Sequence, residues 1–537
     1  MDSSAAGTSP SVSTADRRAL FWACFTAIAA TAAVFAVRGQ VIGDWAHEFG
    51  LTETQKGELL GVGLWPFAAA IVGVSMVADR VGYGRCLLFA FGCHIASTVM
   101  LLFAKGYWGL YAGTFLVSIG NGAAQAIADP VVASMYRHNK TTWLNILHAS
   151  WPAGMVVGGI AGIALGIGGG LDWRWRIGML LVPMLLYGVL MLGHHFPVHE
   201  RIEAGVSDRE MFRETGALGL FLVLVFLFGE FGRLLNQPWY VGVIAALVCA
   251  GAFGIVTRSL GQPLFLFLLV LMIPLATTEL GTDSWITSLM EGPMKAMSLN
   301  AGWVLIYTSF IMMVLRFGAA PVVKLLTPLG VLIVSCVLAT AGLVALSRAT
   351  GLVILAAATL YGIGKTYLWP TMLGVVAERF PKGGALSLNA TSAVGMVSVG
   401  VMGTVFQGLI QDRAIETRLH TEKPALHRQV VATKNSVLGT YQAVNPDRVK
   451  TLNETEQAAI HELTDAASKG ALATTAIFPA VMLAGYLGLF FVFRTHGGYA
   501  PVALSSQATG RTPPSLTATE AINLTGSDQP LSNLDRP

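Results

Sequence analysis

Apolar stretches long enough to cross a bilayer recur along this chain, separated by short polar loops. A spanning helix needs about 20 residues. On that measure the first six spans fall at roughly 19–42, 57–78, 86–104, 108–135, 143–168 and 175–196. A charged segment, PVHERIEAGVSDREMFRET, follows, and then two more stretches at roughly 217–235 and 239–257. Glu230 and Arg233 interrupt this middle pair. Six further spans lie at roughly 263–287, 301–321, 329–347, 351–377, 384–410 and 470–493. The expected fold class is an all-α integral membrane protein. It has two six-helix bundles and an extra central pair, about 14 helices in all.

The same pattern sets the expected organisation. A disordered tail at 1–18 precedes the first bundle, 19–196, and a central segment, 197–262, carries the extra pair. The second bundle, 263–500, includes a polar loop at 411–469 that is too long for a simple connection, and a disordered tail follows at 501–537. Within the long loop, ETEQAAIHELTDAASKGA reads as helical. Arg17 and Arg18, Arg80 and Arg85, Arg137 and Lys140, and Arg201, Arg209 and Arg213 fall in alternate loops. Asp44, Glu48, Glu53 and Glu58 outweigh Lys56 in the first loop on the other side. Basic loops stay cytoplasmic, so both termini are expected inside a cell's inner (plasma) membrane.

Composition supports the membrane reading. The chain is 54% hydrophobic and only 12% charged, with a mean hydropathy of +0.62. A soluble chain carries about 25% charged residues. A net charge of +4 leaves no nucleic-acid footprint. Cys24, Cys86, Cys93, Cys249 and Cys336 lie in or beside apolar stretches without metal-ligand spacing, so they read as buried thiols. No metal or cofactor is expected. GxxxxGK[ST], GxSxG and HExxH are absent, which removes support for an enzyme or for direct ATP drive.

Several motifs point to one family. MVADRVGYGR, Met76 to Arg85, joins the second and third helices. Asp79 and Arg80 stand at a helix end, Gly82 permits a tight turn, and Arg85 holds the loop inside. This resembles the signature loop of the major facilitator superfamily, with Ser75 where that family has Gly and Gly84 where it often has a basic residue. RFGAAPVVKLL, after the eighth core helix, holds the corresponding place in the second half. GNGAAQAIADP, LNILHASWPAG, ELGTDSW (Glu279 to Trp285) and LWPTM (Leu368 to Met372) resemble motifs of the fourth, fifth, seventh and tenth helices of the fucose/glucose/galactose-type sugar–proton symporters. The resemblance implies a rocker-switch transporter with a central site and possible proton coupling. It also shows departures. Gln125 stands where those symporters have an acid, Asp129 where they have Asn, and VRGQ, Val37 to Gln40, where they have a first-helix carboxylate. Two readings stay open: the acid has moved within the fourth helix, or transport is uncoupled.

Candidate chemistry follows from buried polarity, which is costly in lipid and marks function. Asp129 and His148 both fall in the inner halves of neighbouring helices, by the 1.5 Å rise per residue, and are candidates for proton coupling. The alternative is a hydrogen-bonded structural pair. Arg38, near the outer end of the first helix, is expected to pair with Glu279 or close an outer gate, or else to snorkel. Lys365 lies deep in the tenth helix. It needs a cavity, an anionic substrate, or an ion pair with Glu279 or Asp283. Trp65-Pro66, Trp151-Pro152 and Trp369-Pro370 mark kinks, and Trp151 and Trp369 are expected to face a cavity. Gly154, Gly158, Gly162 and Gly166 form a stripe for close helix approach.

The substrate-binding candidates are therefore Gln125, Trp151, Glu279, Asp283, Lys365 and Trp369. The expected function is secondary transport of a small polar solute, a monosaccharide or related compound, with proton symport. The expected partners are that solute, a proton or other coupling ion, and the lipid bilayer, around a monomer. The alternatives are export or uniport of an organic anion or amphipathic compound, and a non-transporting sensor whose outer loop is a binding module.

Overall fold

A computed structural model describes residues 13–504, apart from 50, 52–58, 60, 167–171, 236, 284–285, 287–289, 291–293, 295–296, 299–301, 400–403 and 437–438. Most of both polar tails therefore lies outside the described residues, as do Glu53, Lys56, Glu58 and Trp285. Among the described residues nine helices are long and apolar enough to cross a membrane.

The first half contains α1 (Thr14–Phe49), α2 (Trp65–Val81), α3 (Tyr83–Leu102) and α4 (Tyr107–Met135). Its fifth span is broken into α5 (Lys140–Leu147) and α6 (Ser150–Gly166), and its sixth into α7 (Trp173–Gly178) and α8 (Leu181–Met191). The fifth breaks where the pattern read one continuous helix, because Pro152 has no N–H for the turn before it. The glycine stripe of α6 packs on α1. A Cβ at Gly158 would lie 2.9 Å from the Ala33 Cα, and Gln40 Nε2 donates to the Gly159 carbonyl at 3.1 Å.

Short α9 (Glu200–Glu203) leads into α10 (Asp208–Leu234) and α11 (Trp239–Thr257), the central pair. The helix rule is interrupted at Gly216, whose φ of 60° only glycine adopts freely. Gly216 also touches the Gly261 backbone, so the two ends of the pair are stitched together. Phe226 of α10 packs with Ala68 of α2 and, in the second half, Val397. The pair thus leans on the outside of the bundle.

The second half contains α12 (Pro263–Ala276), which runs on through a wide π turn at Thr277–Gly281, then α13 (Gly302–Phe317) and α14 (Ala319–Arg348). The tenth span is broken into α15 (Val353–Lys365) and α16 (Leu368–Arg379), and α17 (Gly384–Ser398) and α18 (Thr404–Glu422) follow. RFGAAPVVKLL is no simple loop. The chain turns at Gly318, continues helically, and kinks at Thr327 before Pro328. Arg316 consequently lies inside the bundle and is buried.

Beyond α18 the long polar segment folds into a small module. It comprises α19 (Pro424–Val430), an antiparallel hairpin of β1 (Val431–Ser436) and β2 (Gly439–Val444), α20 (Pro446–Lys450) and α21 (Glu454–Thr475). Leu419, Leu426, Val430, Ile460 and Leu463 give it a separate apolar core. Asn453 and Glu456 form a capping box at the start of α21. The last helix, α22 (Ile477–Thr495), returns through the bundle.

The two ends of the bundle differ in charge. At one, Arg137 pairs with Glu203 at 2.7 Å and Lys140 with Glu200 at 2.6 Å. Both described chain ends lie there too: Asp16 meets His194 at 2.6 Å, and Arg379 donates to the Ala500 carbonyl at 2.6 Å. At the other, Glu48 accepts from Trp173 and Arg174, and Asp44 pairs with Arg176. These are called the basic and acidic ends below.

Candidate functional site

A small cavity lies between the halves. The first half lines it with Gln125, His148 and Trp151, the second with Glu279, Arg316 and Trp369. Ser392 adds a hydroxyl, while Phe67, Ile71 and Met396 add apolar wall.

On the first half, the fully buried Asp129 sits directly behind this lining. Gln125, one turn earlier on α4, donates from Nε2 to Asp129 Oδ2 at 2.9 Å. His148 Nε2 lies 2.9 Å from Asp129 Oδ1. The imidazole therefore stands between the carboxylate and the cavity. That geometry can pass a proton from cavity to carboxylate, because a ring with two nitrogens takes one on one side and gives one on the other.

On the second half, Glu279 is held from two sides. Arg316 Nη2 donates to Oε1 at 2.7 Å, and the Trp369 backbone N–H donates to Oε2 at 3.1 Å. Arg316 Nε donates to the Thr366 carbonyl at 2.6 Å. The ion pair thus covers the break between α15 and α16, with the carboxylate on the freed amide and the guanidinium on the freed carbonyl. A break of this kind survives at membrane depth only where such partners exist. The expectation that Glu279 would pair with Arg38 does not hold. Arg38 is buried against Gly63 and stacks on Phe35 at 4.8 Å. Its Nε and Nη1 have no hydrogen-bond partner among the described residues. Arg316, four turns down α13 from the acidic end, is nearer and its planar fork suits a carboxylate. Sequence reading missed it because RF stood beside an apparent loop.

Lys365 forms an ion pair with Asp283, also approaches Thr308 Oγ1 at 3.4 Å, and lies 5.2 Å from the Tyr361 ring centre. This pair is set apart from the cavity lining. Trp65 packs against Phe115 and Phe231, away from the cavity.

Hydrogen bonds between the halves, among the described residues, run from the cavity to the basic end. Arg316 Nη1 donates to the His148 carbonyl at 2.8 Å and Asn389 Nδ2 to the Ala126 carbonyl at 2.8 Å. Asn145 Nδ2 donates to Thr371 at 3.1 Å, Lys140 to the Ala377 carbonyl at 3.2 Å, and Thr141 to Glu378. Among the described residues, the acidic-end ion pairs of Glu48 with Arg174 and Asp44 with Arg176 stay within the first half. The signature-loop residues brace the basic end. Asp79 accepts from Tyr83 at 2.8 Å and from Arg201 at 2.9 Å, Arg201 also reaches Asp208, and Arg80 pairs with Asp208. Gly82 makes the turn with φ 96°, and Gly384, at the start of α17, lies against Asp79 and Arg201. Arg85 Nη1 donates to the Val81 carbonyl at 3.4 Å.

Two helical halves around a central cavity, with broken helices at its wall, define a multi-pass membrane protein of the transporter class and not an enzyme. A model of the Major Facilitator Superfamily matches residues 19–406. The chain belongs to that superfamily. A curated relative, the probable sugar efflux transporter of Helicobacter acinonychis (strain Sheeba), is 26% identical over 160 residues, which are 28% of this chain and 39% of that protein. The match thus spans well under half of that relative's length. Two solved structures share the fold. The human organic anion transporter MFSD10 (TETRAN) covers 89% of this chain and 100% of its own at 10% identity, with a TM-score of 0.54. The E. coli fucose:proton symporter FucP covers 85% and 98% at 13% identity, with a TM-score of 0.54.

Proposed function

We propose that this protein moves a small polar solute, a monosaccharide or related compound, by alternating access with proton symport. The Asp129–His148 pair at the cavity wall carries this reading. It is the one buried carboxylate near the cavity, among the described residues, whose hydrogen-bond partners include no permanent cation. Gln125 and Ser392 offer hydrogen bonds to hydroxyls, and Trp151 and Trp369 offer apolar faces for a sugar ring. The sugar assignments of the relative and of FucP agree with this choice. Cross-half contacts at the basic end suit a state open toward the acidic end. The positive-inside rule supports a cytoplasmic side for the closed end.

The second reading, an organic anion, draws on Arg316 at the cavity wall and on the fold shared with MFSD10. Its support weakens because Glu279 neutralises Arg316 and Asp283 neutralises Lys365. Uptake of labelled monosaccharides into proteoliposomes, with and without an inward proton gradient, tests the proposal. Uphill accumulation that a protonophore collapses is the expected result. No flux across the sugar panel, with flux of organic anions, overturns it.

A further inference from the structure

Proline inside a helix deprives the carbonyl four residues earlier of its donor. Pro130 does this to Ala126, Pro152 to His148 and Pro370 to Thr366. Side chains take all three carbonyls, and the allocation is unequal. Thr366 is met by Arg316 from its own half. Ala126 and His148, both on the first half, are met by Asn389 and Arg316 from the second. Pro183, on α8 away from the interface, shows the ordinary outcome: the Met179 carbonyl it frees receives the Val182 N–H of the same chain at 3.1 Å.

We propose that the Ala126 and His148 carbonyls form a latch between the halves, with Asn389 and Arg316 as the positioning residues that engage it. The proposal rests on the alternating-access reading. The two prolines turn bonds that would lie within a helix into bonds between halves. An acceptor left bare in low dielectric is costly, so these carbonyls hold the opposite half until water or a solute hydroxyl replaces it. Arg316 commits its other donors to Glu279 and Thr366, so it stays with the second half when the halves part. The latch therefore opens at the His148 carbonyl. Asn389 Oδ1 is buried and has no hydrogen-bond partner among the described residues, so this side chain is held through its Nδ2 alone.

The test measures the distance between the halves in the full-length protein in nanodiscs and needs no substrate. Spin labels go on His138→Cys and Lys382→Cys, both exposed at the basic end, with the native cysteines replaced. Pro130→Ala and Pro152→Ala each restore an N–H that competes for the latch carbonyl, and Asn389→Ala removes a donor. Each should raise the ratio of open to closed basic end by roughly three- to tenfold, the worth of one net hydrogen bond. Pro183→Ala makes the same chemical change off the interface and should leave the ratio unchanged. Glu378→Gln, which weakens the contact with Thr141, reports whether the halves can part at all. Opening in Glu378→Gln without opening in the three latch variants overturns the latch and leaves alternating access standing. Equal opening in Pro183→Ala also overturns it, since helix stiffness would then explain the effect. One fixed distance in every variant overturns the alternating-access reading itself.

Discussion

The two halves handle buried carboxylates in opposite ways. In the second half, Glu279 and Asp283 each face a permanent cation, Arg316 and Lys365. In the first half, Asp129 faces Gln125, which is neutral, and His148, whose charge is conditional. The second half thus holds its carboxylates in ion pairs, and the first half holds one by hydrogen bonds to Gln125 and His148. The departure from the symporter pattern, with an acid at position 129 in place of 125, fits this division: it moves the charge one helical turn, onto the histidine.

The comparison can be broken at three points. The largest effect is expected at Asp129. Asp129→Asn keeps a side chain able to hydrogen-bond Gln125 and His148 but removes the titrating group. Proton-driven accumulation should vanish while downhill exchange continues, measured side by side in proteoliposomes. Accumulation at the wild-type level would move coupling elsewhere.

Next is Glu279→Gln, which leaves Arg316 buried without its counter-charge. Breaking a buried ion pair costs about 3–5 kcal/mol, which should appear as a large drop in thermal stability. Adding Arg316→Met should recover part of the loss, though not all, because the Thr366 and His148 carbonyls lose their donor as well. A double variant no better than the single one would mean that carbonyl capping, and not charge balance, is the main role of Arg316.

The smallest effect is expected at Lys365 and Asp283 together. Either single change to an apolar residue strands a charge, but Lys365→Met with Asp283→Leu replaces the pair with matched volume and should cost less than about 1.5 kcal/mol. Solute affinity should stay within about twofold, since the pair lies apart from the cavity lining. A tenfold loss, worth about 1.4 kcal/mol of binding, would return Lys365 to the substrate site.

Much of the fold was legible because lipid imposes a simple rule. Long apolar runs must span, so a many-helix membrane protein follows from their number and length. The roles of individual charges were less legible. Lys365 was correctly read as needing a partner, and Asp283 was among those named. The partner expected for Arg38 and the role missed for Arg316 share one reason. Sequence depth tells how far a charge lies from a helix end but not which way it points around the axis. At 100° per residue, one position decides between cavity and neighbour. Arg316 also stood near Gly318, and a glycine beside a charge reads as a loop until the helix beyond it is seen to continue.

The proline kinks divide the two kinds of knowledge most clearly. The sequence by itself fixes that Ala126, His148 and Thr366 lose their helical donors, because proline carries no N–H. It also fixes that this chain lives in a membrane, because so apolar a surface has no other solvent. Only the tertiary structure decides that Asn389 and Arg316, more than a hundred residues away, replace two of those donors from across the cavity. Hydrogen bonds to freed carbonyls depend on which helices meet and at what rotation, and that is set by packing between the halves.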